Sequence, residues 1–274
     1  MNTLRCPVLA LAGAGLARAL LAVPRDRLPG GGASWTRLNY RGRPVSLHAG
    51  PVVALAGAVS AAAGAPSAGL RRSVALAGLA AGVVGGYDDC RPDPAPDKGF
   101  RGHLRALADG RVTSGVAKVA GIGAAGVVAA GPVARGPVDR LVAGGIVAGT
   151  ANLLNLLDLR PGRALKAALL IGAPLLRGRN GAMVAGPLGV AVALLGDDLG
   201  ERTMLGDAGA NAVGAILGVR LAAGVSGRRR WALLAGIAGL TALSEVASFS
   251  RVIRATPGLR ELDALGRRPD GPSR

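Results

Sequence analysis

Hydrophobic residues occur in long stretches along this chain, and short polar gaps separate them. Stretches of this length with few charges predict membrane-spanning helices. The pattern predicts an all-α fold, a polytopic integral membrane helix bundle, with one transmembrane domain over 1–250 and a basic cytoplasmic tail over 251–274. The third and sixth predicted helices are short for a full span. Nine helices are predicted, at about 7–23, 47–66, 73–87, 113–131, 138–157, 164–176, 181–196, 208–226 and 231–249.

The composition agrees with a tightly packed membrane bundle. Of 274 residues, 50% are hydrophobic and only 18% are charged, and the 45 glycines allow helices to approach closely. The net charge of +17 suggests nucleic acid, but aromatic content is 2% and no compact basic patch contains aromatic residues. Anionic lipid headgroups and phosphate-rich substrates explain the charge better. Cys6 and Cys90 are too few for a disulfide framework and lack metal-ligand spacing, so they are interpreted as small apolar fillers.

Lys and Arg concentrate in alternate gaps between the predicted helices. The first, third, fifth and seventh gaps and the C-terminal tail hold most of them. Because cytoplasmic loops carry an excess of Lys and Arg, these gaps are predicted to be cytoplasmic, with the N-terminus outside. Asp88, Asp89, Asp158 and Asp207 all fall at these same gaps. The sequence therefore predicts a multi-pass cell-membrane protein whose acidic residues share the cytoplasmic face.

Two adjacent carboxylates, Asp88 and Asp89, end the third predicted helix. Adjacent side chains at a helix end diverge, so one can approach a metal or a phosphate while the other orients a lysine or a water. The alternative is a solvated loop, which is also the interpretation of Asp93 and Asp97 in the Pro-rich stretch that follows. The next basic residues are interpreted as a solvated or lipid-facing stretch, with contact to a substrate phosphate as the alternative: Lys98, Arg101, His103 and Arg105.

A polar stripe ends the fifth predicted helix. Asn152, Asn155 and Asp158 recur at three-residue spacing among leucines, which aligns two amides and an acid along one side of the helix. Buried amides need partners, and a nucleotide base or sugar has many donors and acceptors. Hydrogen bonding between packed helices is the alternative, and the pattern does not decide between the two.

The segment before the eighth predicted helix contains Asp207 with glycine close on either side. Glycine permits close backbone approach, and free N–H groups at a helix N-terminus favour a phosphate or a carboxylate. Asp207 could instead be the N-cap of that helix, which is the commoner role for an acid at this position. A metal-bridging acid and a cap are compatible with each other.

Together these motifs resemble the polyprenyl-phosphate N-acetylhexosamine-1-phosphate transferase family, which includes phospho-N-acetylmuramoyl-pentapeptide transferase and its relatives in teichoic acid and O-antigen synthesis. The resemblance lies in the acid pair, the NxxNxxD stripe, the Gly-Asp-x-Gly step and the segment Asn39-Tyr-Arg-Gly-Arg-Pro-Val45. These motifs occur in the family's order over residues 39–214.

The resemblance implies a Mg²⁺-dependent exchange in which polyprenyl phosphate attacks the sugar-proximal phosphate of a UDP-amino sugar and UMP leaves. Mg²⁺ suits hard oxygen ligands and typically uses few protein carboxylates together with substrate phosphates. The implied partners are polyprenyl phosphate, a UDP-amino sugar and membrane lipids, without nucleic acid, and a homodimer is left open. The implied catalytic residues are Asp88, Asp89 and Lys118; the implied substrate-binding residues are Asn152, Asn155 and Asp158; the implied metal ligands are Asp207 and Asp158.

Two features differ from the peptidoglycan-type enzymes of that family. Those enzymes follow the stripe with a second acid, Asp-Gly-x-Asp-Gly, where this chain has Asp158-Leu-Arg-Pro161-Gly. They also carry a His-rich loop, whereas His48 and His103 are the histidines here. The chain therefore resembles a divergent member that lacks this loop, and the phosphate-transfer centre is better supported than the sugar pocket.

Two other functions compete with a sugar-phosphate transferase. A membrane prenyltransferase also uses cytoplasmic aspartates around Mg²⁺, but its signature needs an Asn-Asp-x-x-Asp-type run, and here Tyr87 precedes Asp88 while Arg91 occupies the next acid position. A transporter or an inactive scaffold predicts acids spread through the bilayer midplane between repeats, and no internal repeat is visible. Clustering of the acids on one face favours chemistry over transport.

Overall fold

A computed structural model of the chain describes residues 4–27, 31–90, 102, 105, 106, 108–110 and 113–268. The loop interpretations of Asp93, Asp97, Lys98, Arg101 and His103 lie outside the described residues. The described part is mostly helical, as the hydrophobic pattern predicts. Its α-helices are α1 (Arg5–Leu21), α2 (Gly31–Ser34), α3 (Ala49–Gly64), α4 (Ala68–Cys90), α5 (Ser114–Ala129), α6 (Pro137–Leu157), α7 (Arg163–Leu175), α8 (Ala182–Leu199), α9 (Gly206–Gly224), α10 (Arg228–Val246), α11 (Phe249–Ala255) and α12 (Leu259–Ala264).

Each predicted hydrophobic segment coincides with one of the long helices α1 and α3 to α10. Local chemistry explains several of the boundaries. Thr113 caps α5 by accepting a hydrogen bond from the Val116 amide at 3.2 Å. Pro137 occupies the first position of α6, where its missing N–H costs no helical hydrogen bond. The observed starts of α5 and α6 therefore agree with the predicted starts, at 113 and 138, to within one residue.

Length and composition select a smaller set of helices as candidate membrane spans. Helices α4, α6 and α8 are long and apolar enough to cross a membrane. Helices α10 and α11 pass the same test together, although they meet at a bend of 91°. Helices α3 and α5 are apolar but shorter. The described part of the chain thus contains three candidate spans, or four if the bent pair is one span.

Helix α9 lies at the centre of the bundle, where it packs against α3, α4 and α6. Gly214 and Gly218 face α6 across a very short distance. A Cβ added to Gly214 would lie 2.6 Å from the Ala151 Cα, and one added to Gly218 would lie 2.7 Å from the Val147 Cα. Because only glycine leaves room for this approach, the four-residue spacing determines where the two helices cross.

A short antiparallel hairpin precedes α3, and the hydrophobic pattern does not predict it. Strand β1 (Thr36–Leu38) pairs with β2 (Pro44–Ser46), so that Arg37 lies opposite Val45. Ser46 also pairs in parallel with Thr203, and its carbonyl oxygen accepts from the Met204 amide at 2.9 Å. The hairpin is therefore joined to the segment that leads into α9.

Part of the predicted basic tail folds back onto the bundle. Arg163, the first residue of α7, donates two hydrogen bonds to the Asp263 carboxylate, at 2.7 and 3.0 Å. The Lys166 ammonium donates to three carbonyl oxygens between residues 262 and 265, at 2.7 to 2.9 Å. Residues 259–268 thus pack against the first turn of α7.

Candidate functional site

The acidic clusters that charge counting assigns to one face meet at one end of the bundle. The Lys118 ammonium, on α5, donates to Asp88 Oδ2 at 2.7 Å and also to Asp207 Oδ2. The Ser114 hydroxyl donates to the other oxygen of Asp88. Asp88 lies near the end of α4 and Asp207 in the first turn of α9, so three helices contribute to this ion triad of Asp88, Lys118 and Asp207. We call it the lysine triad.

The lysine triad is only partly accessible to solvent. Its side chains are 17 to 23% exposed. Charges that are largely withdrawn from water interact more strongly than surface pairs, because less solvent screens them. The lysine is therefore held between its two carboxylates, with enough exposure for a ligand to reach it.

Asp89 stabilises the start of α9 from a neighbouring helix. Its two carboxylate oxygens accept hydrogen bonds from the Asp207 amide at 3.0 Å and the Ala208 amide at 2.9 Å. Gly85 allows this approach, since a Cβ there would lie 2.7 Å from the Ala208 nitrogen. The first N–H groups of a helix favour negative charge, so Asp89 caps α9 across the helix interface.

This arrangement bears on two expectations from the sequence. The N-cap residue of α9 is Leu205, which makes no side-chain cap hydrogen bond, and the Asp207 carboxylate bonds Lys118 instead. The cap alternative for Asp207 is therefore wrong, because Asp89 supplies the cap. The expected divergence of Asp88 and Asp89 is confirmed, since one orients a lysine and the other binds backbone amides. The catalytic role expected of Asp89 stays a prediction.

A cavity of about 220 Å³ lies beside the lysine triad. Its polar lining includes Arg37, Asp89, Asn155, Asp158 and Asp207. The cavity therefore brings together the end of the polar stripe on α6 and the first turn of α9, which are far apart in the sequence. Asp207 belongs to both the cavity and the lysine triad.

Asp158 follows α6 and is only 4% exposed. Burial raises the pKa of its carboxyl group well above the usual range, and the nearby negative charge of Asp198 raises it further. Within the described part of the chain, Oδ2 of Asp158 has no hydrogen-bond partner. A buried polar atom without a partner is costly, so a cation or a hydrogen-bonding ligand that reached this oxygen would offset that cost.

A second cavity, of about 320 Å³, also has Asp158 in its lining. Its wall contains Tyr40, whose ring is stacked by the Arg160 guanidinium at 3.9 Å from the ring centroid. Thr203 also lines this cavity, and its buried hydroxyl has no partner among the described residues. Asp158 and Thr203 thus line the same cavity, and each has one buried oxygen without a partner among the described residues.

Several of these lining residues were not identified from the sequence as site residues. Tyr40 lies within the motif at 39–45 that carries the resemblance, and Arg160 lies two residues after Asp158. A sequence motif could therefore have identified both as site residues. Arg37 and Thr203 have no such signal, because their place in the cavity wall depends on the hairpin. Arg37 also donates to the Asp89 carbonyl oxygen.

Asn152 is the one predicted substrate-binding residue that lines neither cavity. It lies one turn before Asn155 on α6 and is half-buried. Its substrate-binding role stays a prediction. The polar stripe therefore divides, with Asn155 and Asp158 at the cavities and Asn152 further along the helix.

The metal-ligand expectation can be compared with the donors present. Among the described residues, no group of three or more His, Cys, Asp or Glu side chains is arranged to hold a metal. Asp158 and Asp207 nevertheless line one cavity, and Asp158 offers an unpartnered oxygen. Mg²⁺ is commonly bound through one or two carboxylates, with waters and substrate phosphates completing its shell. Two carboxylates in the lining of one cavity are compatible with this kind of binding, and the Mg²⁺ site stays a prediction.

No protein-family model matches the chain, and no curated protein sequence matches it.

Proposed function

We propose that this protein is a membrane phosphoglycosyl transferase. It moves an N-acetylhexosamine 1-phosphate, or a related sugar phosphate, from a UDP-sugar to polyprenyl phosphate and releases UMP for cell-envelope polymer synthesis. The observation that carries the proposal is the position of Asp207. This residue bonds the Lys118 ammonium and also lines the cavity beside the unpartnered Asp158 oxygen. A lysine held by two carboxylates thus lies beside a cavity lined by a further buried acid, and a positioned cation of this kind can stabilise charge on a phosphate.

In this proposal the nine long helices α1 and α3 to α10 cross the cell membrane, with the N-terminus outside and the site facing the cytoplasm. Large apolar side chains are exposed on the sides of several of these helices, for example Val83 on α4, Val119 on α5 and Val192 on α8. Extensive apolar surface of this kind is unusual for a soluble monomer and suits contact with lipid. A polyprenyl chain would then reach the site from the surrounding bilayer.

The proposed reaction is a single displacement at phosphorus. An oxygen of polyprenyl phosphate forms a bond to the sugar-proximal phosphorus, and the bond between that phosphorus and the bridging oxygen of UMP breaks. UMP leaves with the bonding electron pair. Asp88 orients the lipid phosphate and accepts its proton where it carries one. Lys118, already positioned by two carboxylates, donates to phosphate oxygens as charge develops on them.

The residues around the cavities complete the proposed roles. Asp207 and Asp158 would hold Mg²⁺, which when bound neutralises charge on the diphosphate oxygens. Asn155 would donate to the nucleotide from the wall of the smaller cavity. Asp89 is assigned to positioning, because both of its oxygens already bind the first turn of α9. The larger cavity has the size of a small-molecule pocket and adjoins the smaller one at Asp158.

The test uses the purified full-length protein with Mg²⁺, undecaprenyl phosphate and UDP-N-acetylglucosamine. Radiolabelled UMP is expected to exchange into the UDP-sugar, since the proposed displacement is reversible. Decaprenyl phosphate and other UDP-amino sugars extend the panel. Absence of exchange with every donor, in a folded preparation that also fails to bind UMP, would overturn the proposal. Consumption of a prenyl diphosphate instead would favour the prenyltransferase alternative.

A further inference from the structure

A buried carboxylate anchors the turn that carries Tyr40. Glu201 lies between α8 and α9, and its side chain is only 2% exposed. Its Oε1 is 3.0 Å from an Arg41 guanidinium nitrogen, and its Oε2 accepts from the Asn39 amide at 3.0 Å. Arg43 adds a second guanidinium at 3.6 Å. Three residues of the 39–43 turn therefore converge on one carboxylate from a distant part of the chain.

The backbone at Glu201 is itself unusual. Its φ is +54°, and it is the only non-glycine residue within the described ranges with a positive φ. Side chains with a Cβ rarely adopt this conformation, and it persists only where the surroundings hold it. The positive φ and the three side-chain partners occur at the same residue. This coincidence favours a specific role for the Glu201 side chain in addition to packing.

The contacts of Glu201 extend to the wall of the larger cavity. Asn39, which donates to Glu201, uses its side-chain oxygen to accept from the Arg41 and Arg43 amides at 2.9 and 3.0 Å. Tyr40 lies inside this turn and stacks against Arg160. The turn is thus closed from within by Asn39 and held from outside by Glu201.

We propose that Glu201 is a positioning residue that fixes the 39–43 turn and, through it, the stack of Tyr40 on Arg160. Tyr40 and Arg160 line the larger cavity together with the polar residues Asp158 and Thr203, a combination suited to the planar and polar nucleotide part of a UDP-sugar. The identity of this ligand rests on the proposed function, whereas the anchoring of the turn does not. Glu201 also lines the larger cavity, but both of its carboxylate oxygens are engaged by the 39–43 turn. It therefore affects nucleotide affinity through the turn and leaves the phosphate-transfer step to the lysine triad.

The anchor is tested by amide hydrogen exchange on the full-length protein. Glu201→Gln is compared with Glu245→Gln, a matched change at an exposed glutamate on α10. We expect the Arg41 and Arg43 amides to exchange about ten times faster in Glu201→Gln, as their hydrogen bonds open more often, with α9 unchanged. The Glu245→Gln control is expected to exchange like the wild type. Unchanged exchange of the turn in Glu201→Gln would overturn the anchor.

Two further variants separate the carboxylate from the backbone. Glu201→Gly relieves the positive φ but removes the carboxylate, so the proposal expects it to open the turn as Glu201→Gln does. If Glu201→Gly exchanges like the wild type, only the backbone matters and the proposal is wrong. Arg41→Gln breaks the same ion pair from the other side and replaces Glu201→Gln if that variant gives too little folded protein.

The effect on the nucleotide is measured by steady-state kinetics and UMP binding. In Glu201→Gln we expect the KM for the UDP-sugar and the Kd for UMP to rise about tenfold, with kcat within about twofold. A faster-exchanging turn without any change in KM or Kd would overturn the positioning role. If the wild type neither turns over nor binds UMP, the transferase proposal fails, while the exchange comparison still decides whether Glu201 anchors the turn.

Discussion

Each end of helix α6 carries an aspartate, and the two aspartates have different surroundings. At its start, Asp139 accepts from the Arg230 guanidinium at 2.6 Å, and Arg230 also donates to three backbone carbonyl oxygens. At its end, Asp158 lines two cavities, and one of its oxygens has no partner among the described residues. A helix of 21 residues separates these ends by about 30 Å. Asp139 is 26% exposed and is paired with a buried guanidinium, whereas Asp158 is 4% exposed and lines two cavities. Both ends contain a buried polar atom without a partner among the described residues, since Nε of Arg230 has none either, so the ends differ in their cavities. We call the first end the closed end and the second, which carries the proposed site, the open end.

The largest expected effect distinguishes the two ends by activity. Asp207→Asn removes a carboxylate that both positions Lys118 and lines the smaller cavity, so UMP exchange should fall by about 10³-fold or more. Asp139→Asn makes the same chemical change at the other end and should keep exchange within about twofold per folded molecule. Equal losses in the two variants would show that the contrast between the ends has no functional meaning.

A second change affects the closed end through stability. Arg230→Met removes a buried guanidinium that joins α10 to α6 and should lower the free energy of unfolding by about 3 kcal/mol. KM and kcat per folded molecule should stay near wild type, because the site is at the far end of α6. Thermal unfolding in detergent, together with activity at a temperature where the variant is folded, measures both. Lost activity in a folded variant would contradict the assignment.

A substitution at the open end is expected to raise the free energy of unfolding, whereas Arg230→Met at the closed end is expected to lower it. Burial raises the pKa of Asp158, so the folded protein holds this proton more tightly than the unfolded chain does. Its contribution to stability is therefore present below its usual pKa of about 4 and is lost as pH rises through the raised value. Asp158→Asn should raise the free energy of unfolding by about 1–2 kcal/mol at pH 8 and flatten this pH dependence.

The same variant should lower transferase activity, because the amide that replaces the carboxylate carries no negative charge to hold Mg²⁺. Unfolding curves between pH 4 and 9 and UMP exchange at one pH would measure the two effects. If Asp158→Asn is less stable than the wild type and fully active, the role proposed for Asp158 at the open end is wrong.

The smallest expected effect concerns residues 259–268, which pack against the first turn of α7. Burial alone would raise the pKa of Asp263, but hydrogen bonds from Arg163 and the charges of Arg163 and Arg267 outweigh it and lower the pKa. The contribution of Asp263 to stability is thus present above its usual pKa and is lost as pH falls through the lowered value. Asp263→Asn should release residues 259–268, detected as faster proteolysis near the C-terminus at pH 7. Unchanged cleavage would show that other contacts hold this segment.

The sequence predicted the long helices well and the remaining structure poorly. Hydrophobic length is a local property, so each apolar segment coincides with a helix of the structure. The hairpin was missed because its strands have three residues each, too few for alternation to be visible. The run of Arg228 to Arg230 had no explanation in the sequence, and the structure explains Arg230 through its pairing with Asp139.

The candidate site was predicted in part. Charge counting predicted that the acidic residues share one face. The structure places Asp88, Asp89, Asp158 and Asp207 together at one end of the bundle. The different partners of Asp88 and Asp89 could be expected from their adjacency, but the sequence could not say which of them binds the lysine. Glu201 had no motif at all, because its partners on the 39–43 turn come from the opposite end of the chain.

By itself, the sequence determined the long helices and the gaps in which the acids fall, because segment length and charge distribution are properties of neighbouring residues. Only the tertiary structure decided which carboxylate oxygens are occupied and which remain available. That decision depends on partners far apart along the chain, such as Asp89 and the Ala208 amide 119 residues later. It also depends on glycines such as Gly85, which let two backbones approach until those partners meet.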